Sequence, residues 1–198
     1  MSKYVELNEK TVVEYVNNKM DFFAPDAEYV CNEIGDGNLN LVFRVKDTKN
    51  NKSLIVNQTL PYVRAAGEDW PLDIGRGEIE THILNIEYEL TDGLVPKVYF
   101  YDADMYCMAM EDLDNYIIMR YGLLDYNQYP YFADQISDFL VKTLLLTSDV
   151  VMGHKEKKEN VKAFINPELC EITEDLVYTE PFHIGARNDM EEALVKFH

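Results

Sequence analysis

Basic residues, cysteines and long apolar runs are scarce in this chain of 198 residues. Lys and Arg number 18 against 36 Asp and Glu, so the formal net charge is -18. This surplus of negative charge opposes binding to nucleic acid or to an anionic membrane by bulk electrostatic attraction. No stretch approaches the roughly 18 consecutive apolar residues of a membrane span. We therefore expect neither nucleic acid nor a membrane as a partner, and an anionic ligand would need local N–H donors, a few cations or a metal ion.

Only three cysteines are present, Cys31, Cys107 and Cys170, and they lie far apart in the sequence. An odd number without regular spacing is typical of reduced thiols rather than of a disulfide framework. The first residues also lack the apolar run of a signal peptide. These features predict a cytoplasmic protein.

Motifs for metal sites and for the commonest nucleotide-binding loop are missing as well. The four histidines show no His-x-x-x-His spacing and the cysteines no Cys-x-x-Cys spacing, which argues against a structural metal site. No Gly-x-x-x-x-Gly-Lys-Ser/Thr segment occurs, which excludes an ordinary P-loop NTPase. The composition is otherwise that of a folded protein, with 47% hydrophobic and 27% charged residues.

A short glycine-rich turn, GDGNLN at residues 35–40, separates two apolar runs that are typical of β-strands. Glycine adopts positive φ at little cost and lets a ligand approach the main chain closely. A strand–turn–strand of this composition can lay backbone N–H groups over a phosphate chain. A plain β-hairpin uses the same Gly, Asp and Asn residues, so the turn by itself leaves both interpretations open.

Hydrophobic periodicity along the first 113 residues predicts a helix, three successive strands that form an antiparallel meander, a second helix and two further strands. The predicted elements are a helix at 8–20 capped by Asn8, strands at 27–34, 41–45 and 53–60, a loop at 64–75, a helix at 75–89 with Ile79, Ile83, Leu84 and Ile86 inward, and strands at 98–101 and 105–110.

Beyond residue 113 the pattern becomes helical. Helices are predicted at 133–148, 155–164, 167–177 and 189–197, and the aromatic residues Tyr126, Tyr129, Tyr131 and Phe132 are expected to pack at the start of this region. The last amphipathic pattern is barely established when the sequence stops at His198. We therefore expect the native polypeptide to continue, and the helices to expose apolar surface in the isolated chain.

Five segments closely resemble 5-methylthioribose kinase, a family in the aminoglycoside-phosphotransferase-like group of small-molecule kinases. They are GDGNLNLVF (35–43), LPYVR (60–64), GEDWPL (67–72), MEDL (110–113) and FINPELCEITEDLV (164–177). The resemblance runs through essentially the whole chain, in order, and covers only the amino-terminal half of such an enzyme. It implies an α+β, protein-kinase-like fold, with residues 1–113 as an amino-terminal lobe of five antiparallel strands and one main helix. Residues 114–198 would be the beginning of a truncated helical lobe.

The resemblance also implies a reaction: phosphorylation of 5-methylthioribose at its 1-hydroxyl by ATP with Mg²⁺, a step of methionine salvage, by a homodimeric enzyme. The family's catalytic aspartate, its metal ligands and its substrate-binding arginines lie in the half that is not matched here. We therefore expect no catalytic residue and no metal ligand within these residues, and the chain alone should be inactive.

Matching motif to motif, the resemblance implies an ATP site in this chain. The implied nucleotide contacts are Gly35, Asp36, Gly37, Asn38, Asn40 and position 57 around the phosphates, and the hinge residues Glu111, Asp112 and Leu113 at the adenine. In the hinge, backbone groups of Glu111 and Leu113 would bind the adenine edge and Asp112 would stabilise the turn. Glu80 would correspond to the glutamate that pairs with a nucleotide-binding lysine, and the Trp70 loop would lie near the cleft.

One departure from the family is serious: Asn57 stands where the family has that lysine. Loss of a charge-assisted phosphate contact costs on the order of 1.5–3 kcal/mol, or one to two decades in binding. It should also leave Glu80 without its partner, if Glu80 faces the cleft. Two alternatives therefore stay open: a degenerate, non-catalytic module that binds a nucleotide or a protein, and a sugar kinase of the same fold with another substrate.

Overall fold

The structure, a computed structural model, describes residues 4–34, 39–64 and 67–182. The chain divides into two compact units, Met1–Phe164 and Ile165–His198. The first unit is α+β and contains the sheet, and the described part of the second is helical. Among the described residues there is no helix whose length and hydropathy would let it span a bilayer.

The main sheet has five antiparallel strands in the order β1-β2-β3-β7-β6. Its strands are β1 (Tyr29–Glu33), β2 (Asn40–Asp47), β3 (Lys52–Thr59), β6 (Val98–Asp102) and β7 (Cys107–Glu111). A separate two-stranded sheet pairs β4 (Tyr62–Val63) with β5 (Gly67–Pro71). The predicted antiparallel five-stranded sheet is confirmed.

Side chains alternate between the two faces of the main sheet, as the period of a strand requires. On one face the register aligns Phe43, Val56 and Ala109 across β2, β3 and β7. These side chains are buried together with Val12 and Val16 of helix α1 (Thr11–Lys19). We call this the α1 face, and it holds the hydrophobic core.

Two polar side chains hold the amino-terminal segment on this core. Asn8 Oδ1 accepts hydrogen bonds from Lys10 N at 3.0 Å and from Thr11 N at 3.1 Å, which caps α1 as predicted. Gln58, fully buried on β3, accepts from Leu7 N at 2.8 Å and donates to Val5 O at 2.9 Å. The buried amide is thus satisfied by the backbone that it anchors.

Helix α2 (Arg76–Thr91) lies on the opposite face, which we call the α2 face. It approaches the sheet closely at Gly77, where an added Cβ would overlap Thr59 Oγ1 and lie 3.2 Å from Thr59 Cβ. One turn later, Thr81 Oγ1 donates to Gly77 O at 2.8 Å and lies 3.5 Å from Met108 Sδ. Small residues therefore let the helix backbone pack tightly on β3 and β7.

The predicted inward face of α2 was wrong in part. The residues that α2 buries are Arg76, Gly77, Thr81 and Thr91. Ile83, expected inward, is 38% exposed. The physical reason is the close approach at Gly77, which turns the line of small and polar residues toward the sheet, whereas an apolar count favours the isoleucines.

The predicted loop at 64–75 is also corrected, because it contains β5 and forms a short hairpin with β4. Tyr62 pairs with Pro71, and Leu72 N donates to Pro61 O at 3.0 Å. Trp70 lies in β5. Strands of two and five residues leave too short an alternation to be read from sequence.

The first unit continues with three helices after the sheet: α3 (Met119–Leu124), α4 (Phe132–Leu140) and α5 (His154–Ala163). The helix predicted at 133–148 becomes a π-helical turn at Val141–Leu145, and α3 was not predicted. The expected packing of the aromatic residues is wrong: Tyr129, Tyr131 and Phe132 are 37%, 70% and 42% exposed, and Tyr126 is 91% exposed with a φ of 58° in the turn after α3. The left-handed turn directs this side chain outward.

In the second unit, α6 (Pro167–Glu174) begins with Pro at its first position, and Asn166 Oδ1 accepts from Leu169 N at 3.3 Å. Both features are ordinary helix-start signals, and the prediction at 167–177 is confirmed through the π-helical turn Asp175–Thr179. The helix predicted at 189–197 lies outside the described residues.

Large apolar side chains are exposed throughout the helical segments, as expected from the sequence. In the first unit they include Ile117, Ile118, Leu123, Leu124, Leu140, Val141, Leu144, Leu145 and Val151, each at least 43% exposed. In the second unit they include Ile165, Leu176, Val177 and Tyr178. So much exposed apolar surface is typical of a surface that another element or chain covers.

The close approach of α2 predicts that Gly77→Ala destabilises the protein. The added methyl must displace either the helix or Thr59, and overpacking of this kind costs about 1–3 kcal/mol. Urea unfolding measures the change. Gly153→Ala is the matched control, because a Cβ at Gly153 meets nothing within 4 Å and its φ is -59°. Equal midpoints for the two variants would contradict the close packing.

Candidate functional site

The glycine-rich turn is flanked as expected, although Gly35, Asp36, Gly37 and Asn38 lie outside the described residues. Strands β1 and β2 pair antiparallel on either side of it, and Ile34 N donates to Val42 O at 2.7 Å. Asn40 is the first residue of β2. The two strands that the sequence predicted on either side of residues 35–38 are therefore present and paired.

Asn57 and Glu80 meet on the α2 face of the sheet. Asn57, on β3, is only 7% exposed, and its Nδ2 donates to Glu80 Oε1 at 3.3 Å and to Oε2 at 3.4 Å. The expectation that Glu80 is left without a partner is wrong, because the helix brings its carboxylate within reach of the shorter amide. Asn57 Oδ1 is buried without a hydrogen-bond partner. Folding therefore removes water from this oxygen without replacing its hydrogen bonds, which is unfavourable.

The Glu80 carboxylate is in an unfavourable place for a charge. Burial raises its pKa, and the nearby Arg76 guanidinium and the Asn57 amide only partly oppose that rise. Burial likewise lowers the pKa of Arg76, against the attraction of Glu80 and Asp73. An uncharged amide at position 57 thus supports a carboxylate less well than a cation would.

Arg76 is a site residue that the sequence did not point to. It is 6% exposed at the first position of α2. Its guanidinium donates to four oxygens, which belong to four different residues. Nη1 bonds Leu60 O at 2.7 Å and Asp73 O at 2.9 Å. Nη2 bonds Asn40 Oδ1 at 2.8 Å and Leu39 O at 3.0 Å. The only available signal was an arginine four residues before Glu80 in an acidic chain, which also fits a surface ion pair.

An apolar row lies beside these polar groups on the α2 face. Strand register places Val42 next to Asn57, and aligns Ile55 with Met110. Ile55 is 7% exposed, and Val42 and Met110 are half-buried. Such a surface can pack against a flat apolar ligand group, while the neighbouring amides of Asn40 and Asn57 can donate to an anion.

The segment after β7, where the hinge is predicted, is tied to β2 by charge. Asp112, with a side chain 1% exposed, accepts from Arg44 Nη2 at 2.9 Å, and its Oδ2 lies 2.9 Å from Arg44 Nε. A second pair, Lys46 Nζ to Asp114 Oδ2 at 3.2 Å, follows two residues along each segment. The sequence assigned Asp112 to the turn but did not identify Arg44 as its partner.

Backbone groups around the predicted hinge are partly engaged. Glu111 N donates to Lys97 O at 2.8 Å, and Glu111 Oε2 accepts from Lys97 N at 3.2 Å. Leu113 O accepts from Tyr116 N at 2.9 Å. The amide of Glu111 is thus committed to the neighbouring chain, which leaves its carbonyl and the Leu113 amide as the groups to consider for a ligand.

Within residues 4–34, 39–64 and 67–182 no group of three or more His, Cys, Asp or Glu side chains is arranged to hold a metal ion. The cysteines are free thiols: Cys107 is buried, Cys31 is half-buried and Cys170 is exposed. The site as described is therefore built from amides, two arginines and two carboxylates, Glu80 and Asp112.

No protein-family profile matches the chain. Curated proteins named methylthioribose kinase do match it. The protein from Bacillus pumilus is 45% identical over 193 residues, which is 98% of this chain and 48% of that relative. Those from a Geobacillus species and from Bacillus cereus are 44% and 42% identical over 89% and 96% of the chain. The resemblance found in the sequence is confirmed, the fold is an α+β kinase-like amino-terminal lobe, and the chain spans about half the length of these relatives.

The raised pKa of Glu80 predicts that Glu80→Gln stabilises the fold at neutral pH. Burial makes the folded state hold its proton more tightly than the unfolded chain does, so the cost of ionising Glu80 is present above the folded pKa and disappears as the pH falls below the ordinary value of 4.5. Thermal unfolding between pH 4 and pH 8 measures this difference.

The gain in melting temperature should be largest at pH 7–8 and vanish near pH 4. Glu78→Gln is the control, because Glu78 is exposed on the same helix, and it should give no gain. A Glu80→Gln gain that persists unchanged at pH 4 would show that another effect is responsible.

Breaking the Arg44–Asp112 pair should lower the free energy of unfolding more than breaking the more exposed Lys46–Asp114 pair. Arg44→Met leaves a buried carboxylate without its charge-assisted bonds and should cost about 1–3 kcal/mol. Lys46→Met breaks a pair that is one-third exposed and should cost less than about 1 kcal/mol. Urea unfolding gives both values, and in the Asp112→Asn background the Arg44→Met loss should shrink. An unchanged loss there would mean that Arg44 stabilises β2 without Asp112.

Proposed function

We propose that the native protein is an ATP-dependent kinase that phosphorylates 5-methylthioribose at its 1-hydroxyl, and that this chain forms its nucleotide-binding part. The observation that carries the proposal is the identity of 42–45% to curated methylthioribose kinases over nearly the whole chain. Because the chain spans about half of those relatives, the activity, the acceptor sugar and the place in methionine salvage are inferred for the full polypeptide.

In this proposal ATP lies on the α2 face of the main sheet. Its phosphates lie beneath Gly35, Asp36, Gly37 and Asn38 and receive hydrogen bonds from the amides of Asn40 and Asn57. The adenine packs on the row formed by Val42, Ile55 and Met110 and binds backbone groups of Glu111 and Leu113. Two findings support this arrangement: the amides and the apolar row share one face, and Asp112 is held in place by Arg44.

Asn57 weakens this site without removing it. The amide supplies two uncharged N–H donors where the family has a cation, and its nitrogen is already hydrogen-bonded to the Glu80 carboxylate. Glu80 therefore acts as a support for Asn57, and Trp70, on the β4–β5 hairpin, as a neighbour of the cleft. We expect ATP affinity to be lower than a lysine at this position would give.

The groups that perform the chemistry are proposed to lie outside this chain. Phosphoryl transfer of this type needs an aspartate to orient the acceptor hydroxyl and acidic residues for Mg²⁺. Residues 1–113 would then be one lobe and residues 114–198 the start of the other, completed by the rest of the polypeptide. The exposed apolar side chains of α3 and α4 suit that interpretation, because a further set of helices could cover them.

The full enzyme is expected to be cytoplasmic and to form a homodimer. Three free thiols fit a reducing compartment. The dimer is inferred only from the resemblance.

A second candidate function is favoured by Asn57 itself. A site whose phosphate-binding cation is replaced by an amide is what a degenerate module would have, one that binds a nucleotide or a protein without catalysis. The two proposals differ in the native polypeptide: the kinase requires the second half, and the module does not.

The deciding experiment uses the protein purified from its natural source. Intact mass reports whether the polypeptide is near 23.0 kDa or about twice that, and an assay with ATP, Mg²⁺ and 5-methylthioribose measures phosphate transfer. Transfer by a chain of twice the mass supports the kinase. A chain of 23.0 kDa without transfer favours the module, and calorimetry with Mg·ATP then separates its nucleotide-binding and protein-binding versions.

The proposed ATP site predicts that Asn57→Lys tightens Mg·ATP binding by about one to two decades, because a charge-assisted contact is worth about 1.5–3 kcal/mol. The same change should restore a charged partner to Glu80. Isothermal titration calorimetry measures the dissociation constant. Asn18→Lys is the control, since Asn18 is exposed on α1 at the other face of the sheet and adds the same charge. Equal effects of the two variants would place the nucleotide elsewhere.

A further inference from the structure

Arg76 uses both terminal nitrogens of its guanidinium for hydrogen bonds within the protein. Each terminal nitrogen carries two hydrogens, and the four hydrogens are matched by four oxygens at 2.7–3.0 Å. Three of the acceptors are backbone carbonyls, from Leu39, Leu60 and Asp73. Arg76 cannot bind a phosphate through these nitrogens without breaking the four hydrogen bonds. Its role toward a ligand must therefore be indirect.

The fourth acceptor is the side chain of Asn40, at the start of β2. Because Oδ1 accepts from Arg76 Nη2, the amide is held in one of its two orientations, and Nδ2 is the atom that can donate elsewhere. The flipped amide would set Nδ2 against the guanidinium, donor against donor. The main chain here is held as well, since Arg64 Nη1 reaches Asn40 O at 3.5 Å.

Asn40 lies on the same face of the sheet as Asn57. The register pairs Asn40 with Thr59 and Val42 with Asn57, so the two asparagines are on neighbouring strands, offset by one step of the pleat. The Nδ2 of Asn57 faces Glu80. The Nδ2 of Asn40, unlike that of Asn57, is therefore not hydrogen-bonded to the Glu80 carboxylate.

We propose that Arg76 is a positioning residue that fixes the Asn40 amide as a hydrogen-bond donor toward nucleotide phosphate. Phosphate oxygens only accept hydrogen bonds, so an amide locked with its donor outward favours phosphate and rejects a ligand that offers a donor there. Asn57 has no charge with which to bind a phosphate. By orienting the Asn40 amide, Arg76 contributes indirectly to phosphate binding at this site. This inference rests on the proposed nucleotide function.

The experiment is a double-mutant cycle on the dissociation constant of Mg·ATP, measured by calorimetry on the full native polypeptide. Arg76→Lys keeps the positive charge but lacks the fork that reaches Asn40, and it should weaken binding about tenfold, as should Asn40→Ala. The double variant should be no weaker than either single variant. Multiplied losses would show that Arg76 acts independently of Asn40, and they would overturn the inference.

Adenosine binding distinguishes a role of Arg76 in phosphate binding from a purely structural role. Without phosphates it makes no contact with the Asn40 amide, so Arg76→Lys should leave its affinity unchanged while weakening that of ATP. An equal loss for both ligands would mean that the variant damages the site in general, and the inference would fail.

Asn40→Asp keeps the test decisive if Arg76→Lys does not fold. The new carboxylate still accepts from Arg76, so the melting temperature should stay the same or rise, but an acceptor replaces the donor and Mg·ATP should bind at least tenfold more weakly. Asn18→Asp adds the same charge on α1 and should have little effect on binding. Unchanged ATP affinity in Asn40→Asp would overturn the inference.

The two proposals can fail separately. If the unaltered protein binds Mg·ATP and the cycle is additive, only the role of Arg76 is lost. If the unaltered protein does not bind Mg·ATP under the same conditions, the proposed nucleotide function fails and the inference falls with it.

Discussion

The close approach of α2 to the sheet at Gly77 is the constraint on which the rest of the site depends. A side chain at this position would collide with Thr59, so only glycine lets the helix backbone lie against β3. Helical geometry then places Arg76 beside the start of β2 and Glu80, one turn later, beside Asn57. Two polar contacts on the α2 face, Arg76 with Asn40 and Glu80 with Asn57, thus follow from one missing Cβ.

Charge is distributed unevenly in a chain with a net charge of -18. Its cations in this region are engaged in the fold: Arg44 pairs with the buried Asp112, Lys46 with Asp114, and Arg76 with backbone carbonyls and Asn40. A nucleotide bound on this face would therefore depend on amide donors, the backbone and its own metal ion more than on lysine. The substitution at position 57 fits that general pattern.

Local sequence patterns predicted most of the architecture because they report local physics. Apolar runs bounded by polar turns predicted the strands β2 and β3, and Asn8 marked the start of α1 through its cap. The same reasoning failed on α2, where Ile83 looked inward and is exposed. Periodicity counts apolar residues, but it does not register that a glycine allows a closer and more polar contact.

The sequence by itself determined the antiparallel sheet, the helix starts, the family resemblance and the place of the anomalous Asn57. All of these depend on residues near one another in the chain or on matched motifs. Only the tertiary structure decided that the shorter amide of Asn57 still reaches Glu80, and that Arg44 meets Asp112 and Arg76 meets Asn40. These pairs are 23, 68 and 36 residues apart. Such contacts are set by strand register and by the depth at which a helix packs, and no local pattern encodes either.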